Sequence, residues 1–96
     1  MATSVIPFNL AELKYQGIIT SANDLNNLTD GIYYITSSAP QNAPQNNCVW
    51  CILYQIKVGL IHQYIIRPYS ALIWVREYSG NPESWSGWKK FTGTNV

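Results

Sequence analysis

Charge is what this sequence has least of. Lysine, arginine, aspartate and glutamate together make up 11% of its 96 residues, against roughly 25% in an average soluble domain. Six basic and five acidic residues leave a net charge of +1. They are scattered, and the longest run of one sign is Lys89-Lys90. A nucleic-acid partner calls for a basic stripe, and none is present. The single histidine, His62, and two cysteines are too few for a zinc set at ligand spacing. No apolar stretch approaches the roughly 20 residues of a membrane span; the longest, Cys48 to Ile56, is broken at Gln55. Met1 to Phe8 has neither a basic n-region nor an apolar h-region, so no secretory signal is expected. The chain is expected to be made and folded in a cytoplasm, with no membrane insertion and no nucleic-acid partner.

What is abundant is apolar and aromatic material, 47% and 14% of the chain. One domain of this length buries roughly 60–70% of its extended-chain surface. With so few charges to dress the outside, part of the apolar surface is expected to be covered by a partner, a second copy of the chain being the first candidate.

Cys48-Val49-Trp50-Cys51 is a C-x-x-C and invites a redox or zinc reading. It sits at the head of a β-branched and aromatic run that reads as one strand from Cys48 to Val58. In a strand, residues three apart are about 10 Å apart and point to opposite faces, beyond the roughly 7 Å reach of a disulfide. The expectation is therefore two structural thiols, with no disulfide, metal or cofactor.

The N-terminal third reads as irregular with hints of helix. Asn9 and Glu12 have capping-box spacing, and Gly17 is placed to stop a short helix. Ser21 to Thr29 reads as a single helical turn whose Leu25 and Leu28 plug one end of a core. Asp30-Gly31 turns into a strand at Ile32–Thr36, and Ser37–Asn47 reads as an exposed loop. Strands at 48–58, 60–67, 71–78 and 85–91 follow, joined by short turns at Gly59, Pro68–Ser70 and Ser79–Pro82. The predicted fold is mainly β: a small antiparallel β-meander with one or two short N-terminal helical turns. Residues 1–22 form an arm with a short helix, 23–91 the β domain, and 92–96 a flexible tail.

Alternation along the long strand puts Trp50, Ile52, Tyr54, Ile56 and Val58 on one face. The next two strands carry large side chains on both faces. A sheet apolar on both sides needs two covers. The helical turn supplies one and a neighbouring subunit the other.

Asp24-Leu25-Asn26-Asn27-Leu28-Thr29 runs into Gly31-Ile32-Tyr33-Tyr34-Ile35, followed by Asn42-Ala43-Pro44, an Ile73-Trp74-Val75-Arg76 strand and Trp85-Ser86-Gly87-Trp88-Lys89-Lys90-Phe91. In that order, over residues 23 to 91, the pattern resembles the knob-type domains of bacteriophage tail fibres and R-type pyocin fibres. Asn46-Asn47-Cys48 stands where many such domains have a Gly-rich turn, and the chain is one domain long where fibres usually have a shaft, which leaves open a C-terminal piece of a longer fibre or a separate small virion protein. The resemblance implies a tail-fibre or receptor-binding protein module of a virion, assembled in the bacterial cytoplasm as a homotrimer. Its implied partners are another tail-fibre or baseplate protein and a host cell-surface polysaccharide; no catalytic residues are implied.

The residues themselves argue for contact rather than catalysis. Glycoside hydrolysis needs two carboxylates about 5–9 Å apart in a cleft. Of Glu12, Asp24, Asp30, Glu77 and Glu83 only the last pair can meet, across a turn that offers no groove. One histidine with serine neighbours is no triad. Saccharides, in contrast, stack on flat aromatic rings and bond to Asn, Gln, Arg and His. By parity along their strands, His62 and Tyr64 are expected beside Trp74 and Arg76 on one face, and these four are the candidate ligand patch. Trp85, Trp88 and Phe91 read as packing residues; Gln41 to Asn47 reads equally as contact surface or solvated linker. The rival reading is a purely structural trimerisation or attachment knob with no receptor contact.

Overall fold

The structure, a computed structural model, describes residues 13–96. It is mainly β. Strand β1 (Tyr15–Ile19) is followed by β2 (Gly31–Ile35), β3 (Cys51–Val58), β4 (Leu60–Arg67), β5 (Leu72–Ser79), β6 (Ser84–Trp85) and β7 (Lys89–Thr92). All seven lie in one sheet in the order β1-β2-β3-β4-β5, with β6 and β7 both pairing to β5. From β2 onward every pairing is antiparallel. The expected meander is thus present, and the single exception is β1, which runs parallel to β2.

That exception moves the edge of the domain. Residues 1–22 were expected as an arm with a short helix, yet Tyr15–Ile19 is a sheet strand and Ile19 belongs to the core. Gly17, expected to end a helix, lies inside β1 at a register shift, with φ +125°. The capping pair Asn9 and Glu12 lies outside the described residues. At the other end, Thr92 closes β7 and the Gly93 amide donates to the Ala71 carbonyl. The boundary expected at residue 91 therefore falls inside a strand.

The closing aromatic segment, expected as one strand, is two. β6 and β7 flank an interruption at Ser86–Trp88 that lets Trp88 leave the sheet edge and pack against the core.

The core lies on one face only. Ile19, Tyr33, Ile35, Cys51, Leu53, Ile65 and Trp74 point into it from the strands. Its lid is made by the two segments flanking β2. In the first, a 3₁₀ turn at Leu25–Asn27 buries Leu25, with Leu28 packed beside it. That is the helical plug read from the sequence. The second segment is Ser37–Trp50, of which Ser37–Asn47 was expected to be an exposed loop. Its exposed Gln and Asn residues alternate with Pro40, buried, and with Ala39 and Ala43, packed on the core. Small side chains here are what lets backbone lie close to the sheet. The two segments are joined by a backbone bridge, Leu25 N–H to Gln41 O at 3.1 Å and Gln41 N–H to Asn23 O at 2.8 Å.

Strand β3 starts at Cys51, three residues later than its sequence pattern indicates. Trp50 adopts a left-handed conformation (φ 58°) and its amide donates to Thr36 O at 2.9 Å. This turn decides which face of β3 is buried. Cys51, Leu53 and Gln55 face the core, while Ile52, Tyr54 and Ile56 look to the other side. The more continuously apolar set of the strand therefore lies on the open face. Among the described residues nothing covers that face.

Candidate functional site: a locked arginine behind the sheet and an open face in front

Arg76 occupies the centre of a polar cluster buried beneath the 3₁₀ turn. Its Nε–H donates to Gln63 Oε1 at 2.8 Å and its Nη2 to Asn26 Oδ1 at 2.9 Å. Gln63, wholly buried, donates through Nε2 to the Leu25 carbonyl at 2.6 Å and to Gln55 Oε1 at 2.7 Å. Gln55 in turn donates to the Leu28 carbonyl at 2.8 Å. Three adjacent strands thus each contribute one long polar side chain: Gln63 and Gln55 satisfy the Leu25 and Leu28 carbonyls of the turn above, which no helix interior is there to pair, and Arg76 holds the Asn26 side chain. The guanidinium lies 3.9 Å from the Trp85 ring centroid and 4.6 Å from that of Trp88. Cations over indole rings in a desolvated setting are strongly held. Burial draws Arg76 down to about 10, with the nearby Asp24 charge opposing the shift, so it stays charged at neutral pH.

The turn is secured from its other end by Asp24. One carboxylate oxygen accepts from the Asn26 amide at 2.9 Å and from Asn42 Nδ2 at 2.7 Å. Asn42, held at φ 64°, offers its carbonyl to Trp88 Nε1 at 2.9 Å. The bond from the Asn26 backbone amide, then that from the Asn42 side chain, hold Asp24 below its usual value. A carboxylate whose pKa is depressed in the fold stabilises it above the unfolded-state value, and that contribution fades as pH falls through the folded one. Asp24→Asn is accordingly expected to flatten the acid limb of the thermal stability profile below about pH 4, leaving its neutral part little changed, as Asn is also a good cap. Thermal melts across that range, wild type against variant, check it.

The four residues of the candidate ligand patch do not share a face. In the β4–β5 ladder Ile65 pairs with Trp74 and Gln63 with Arg76, so His62 and Tyr64 stand opposite Glu77 and Val75. The ladder begins at Arg67–Leu72: the intervening 3₁₀ turn, with Ala71 in left-handed conformation, makes odd-numbered residues of β4 share a face with even-numbered ones of β5. Parity along each strand was legible, but parity across the turn was not. Trp74, 2% exposed, is core, and its Nε1 donates to Gln45 Oε1 at 3.3 Å. Arg76 is 8% exposed and engaged as described.

His62 and Tyr64 remain on the open face, their rings stacked with centroids 6.5 Å apart and planes 15° from parallel. They border a hollow of about 340 Å³ together with Val75, Glu77, Ser86 and Lys89; Arg76 also borders it, although its guanidinium is held on the opposite face. Glu77, Ser86 and Lys89 were not in the candidate patch, and the β5–β6 pairing is what brings Ser86 there, its amide donating to Glu77 O at 2.8 Å. Next to it lies a larger, almost purely apolar hollow of about 630 Å³, lined by Leu13, Ile32, Tyr54, Ile56, Tyr64, Ile66 and Ile73. Tyr64 belongs to both. The open face is thus apolar over its middle and polar, with one carboxylate and one ammonium, at the β6–β7 end.

Among the described residues no three His, Cys, Asp or Glu side chains gather as a metal set, and no helix is long and apolar enough to cross a membrane. No protein-family model, curated protein or solved structure matches this chain.

Proposed function

We propose that this chain is a knob-type module of a phage tail fibre or receptor-binding protein, assembled as a homotrimer through its open sheet face. In this reading it touches a host cell-surface polysaccharide at the rim of that interface, performs no catalysis, and attaches through another tail-fibre or baseplate protein. The observation that carries it is the open face itself. Ile32, Tyr54, Ile56, Tyr64, Ile66 and Ile73 make one apolar surface without a charge in it, the composition of a core cut in half between permanent partners. A second copy is the occupant favoured, because the strongly polar end beside Tyr64 marks where such an interface stops. There, the Tyr64 and His62 rings with Glu77, Ser86 and Lys89 offer a stacking plane and donors and acceptors around it, which is what a saccharide takes.

The test has two arms. In light scattering the full chain is expected at three times its monomer mass, and Ile66→Lys with Ile73→Lys is expected to leave a folded monomer. On an array of bacterial surface polysaccharides, His62→Ala and Lys89→Ala are each expected to weaken binding by about tenfold without changing the mass, the loss of roughly one good contact. A wild-type monomer at micromolar concentration removes the assembly reading. A trimer that ignores every polysaccharide and whole host cells leaves the purely structural knob, the alternative favoured by the locking of Trp74 and Arg76 inside the fold.

A further inference from the structure

Cys48 and Cys51 are placed quite differently from two residues of one strand. The left-handed turn at Trp50 folds Cys48 back under the sheet, so that both thiols are fully buried on the same side. Their sulfurs are 4.0 Å apart, Cys48 donating to Cys51 and Cys51 to the Val49 carbonyl at 3.1 Å, and both are free. Closing a bond of about 2.05 Å asks each sulfur to move about 1 Å. Arg67 stands beside them. One step beyond the Ile52–Ile66 pair, the β3–β4 register sets it next to Cys51 on the core face. Its Nη2 donates to the Tyr69 hydroxyl and its guanidinium lies 4.7 Å from the Tyr69 ring centroid, but its buried Nε–H has no hydrogen-bond partner, an unusual state for so strong a donor.

We propose that Cys48 and Cys51 form a redox-active dithiol that exchanges with low-molecular-weight disulfides, with Cys51 as the attacking sulfur and Arg67 as the residue that holds its thiolate. The Cys51 thiolate attacks one sulfur of oxidised glutathione, forming a mixed disulfide and expelling one glutathione thiolate. Cys48 then loses its proton to solvent and attacks the Cys51 sulfur, expelling the second glutathione. The protein loses two hydrogens, and one molecule of oxidised glutathione becomes two of reduced glutathione. The order of attack follows from the environment. The hydrogen bond from Cys48 and the Arg67 charge draw the Cys51 thiol down against burial, while that same bond and burial push Cys48 up. A lowered thiol beside a cation is the one that reacts.

Access is through the Ser37–Trp50 segment. It is held over the pair by the Asn23–Gln41–Leu25 backbone bridge, the backbone bond from Trp50 to Thr36 and the side-chain bonds from Asn42 to Asp24 and from Trp74 to Gln45, a small set whose local opening does not require global unfolding. Once formed, the disulfide closes a ring of only four residues and freezes the Trp50 turn, fixing the lid above Trp74. This holds whether or not the chain is a fibre module.

The experiment treats the reduced full chain with oxidised glutathione at neutral pH and follows it by alkylation and intact mass. Wild type is expected to lose two hydrogens with both thiols blocked to alkylation. Cys48→Ser is expected to stop at a single glutathione adduct on Cys51, and Cys51→Ser to react at least about tenfold more slowly. Arg67→Gln is expected to slow the adduct at Cys51 and shift its pH dependence upward, and Arg67→Lys to restore it. Circular dichroism reports that each variant is folded. Two thiols that stay reduced in folded wild type, or that react only where urea unfolds the chain, overturn the proposal; so do equal rates for the two single-cysteine variants.

Discussion

Trp74→Ala is expected to lower the thermal midpoint by on the order of 20 °C. Trp74 is the largest wholly buried side chain, placed on β5 against Ile65 and beneath the lid. Removing an indole from such a site costs about 3–5 kcal/mol, the transfer energy together with the cavity left behind. In a domain of this length each kcal/mol moves the midpoint by roughly 4–8 °C, and total stability is only about 5–15 kcal/mol. The variant also leaves Gln45 without its indole donor, so the loss extends to the lid. Trp74→Phe keeps most of the volume and is expected to cost about a third as much. Melts by circular dichroism, read with the near-ultraviolet signal, measure both. A Trp74→Ala protein that melts like wild type but no longer binds a ligand would return Trp74 to the surface patch.

Arg76→Ala is expected to be nearly as damaging, for a different reason. Removal of the arginine side chain leaves one buried acceptor, Gln63 Oε1, the Oδ1 of the exposed Asn26 and two indole faces without their partner. An abandoned buried acceptor costs about 1–3 kcal/mol, and a desolvated cation over an indole contributes about 2 kcal/mol. The sum, reduced by relaxation of the side chains, is on the order of 3 kcal/mol and a midpoint lowered by about 10–20 °C. Arg76→Lys keeps the charge but not the planar fork or the stacking, so little is expected to be recovered. A double-mutant cycle with Asn26→Ala is expected to show coupling of about 1–2 kcal/mol. Additive losses would mean that the turn is not held through Arg76. The two variants together settle how binding is to be probed: through His62, Tyr64 and Lys89 on the open face, since changes at Trp74 and Arg76 report on folding.

The same cluster accounts for the order of motifs along the chain. Asn26 of the turn and Trp85 and Trp88 of the closing segment meet at Arg76, Asn42 of the lid bonds both Asp24 and Trp88, and Leu25, Leu28 and Ala43 pack on the core beside them. What reads in sequence as three separated signatures is in space one fastening of lid to sheet. Of the three residues read as packing, Trp85 and Trp88 are half-buried against the fold, while Phe91 is exposed on β7. The true partner of the two tryptophans was not legible, because an arginine in an alternating strand looks like a surface residue until the strand's neighbours are known.

The sparse charge noted at the outset has a structural counterpart. The described chain buries one sheet face under its own lid and leaves the other apolar, and two of its eleven charged side chains, Arg76 and Asp24, are committed to fastening that lid. By itself the sequence determined the four central strands β2 to β5, their reversals at Gly59 and Pro68, the Leu25 plug and the presence of apolar side chains on both faces. These follow from local propensity and period, which act within a few residues. Tertiary structure alone decided which face is inside, that Trp74 and Arg76 lie behind the sheet rather than beside Tyr64, and that Cys48 reaches Cys51. Each of these turns on one backbone conformation, Ala71 at φ 53° and Trp50 at φ 58°. A single left-handed residue resets the parity of everything after it, and a non-glycine residue adopts it only because pairings far along the chain hold it there.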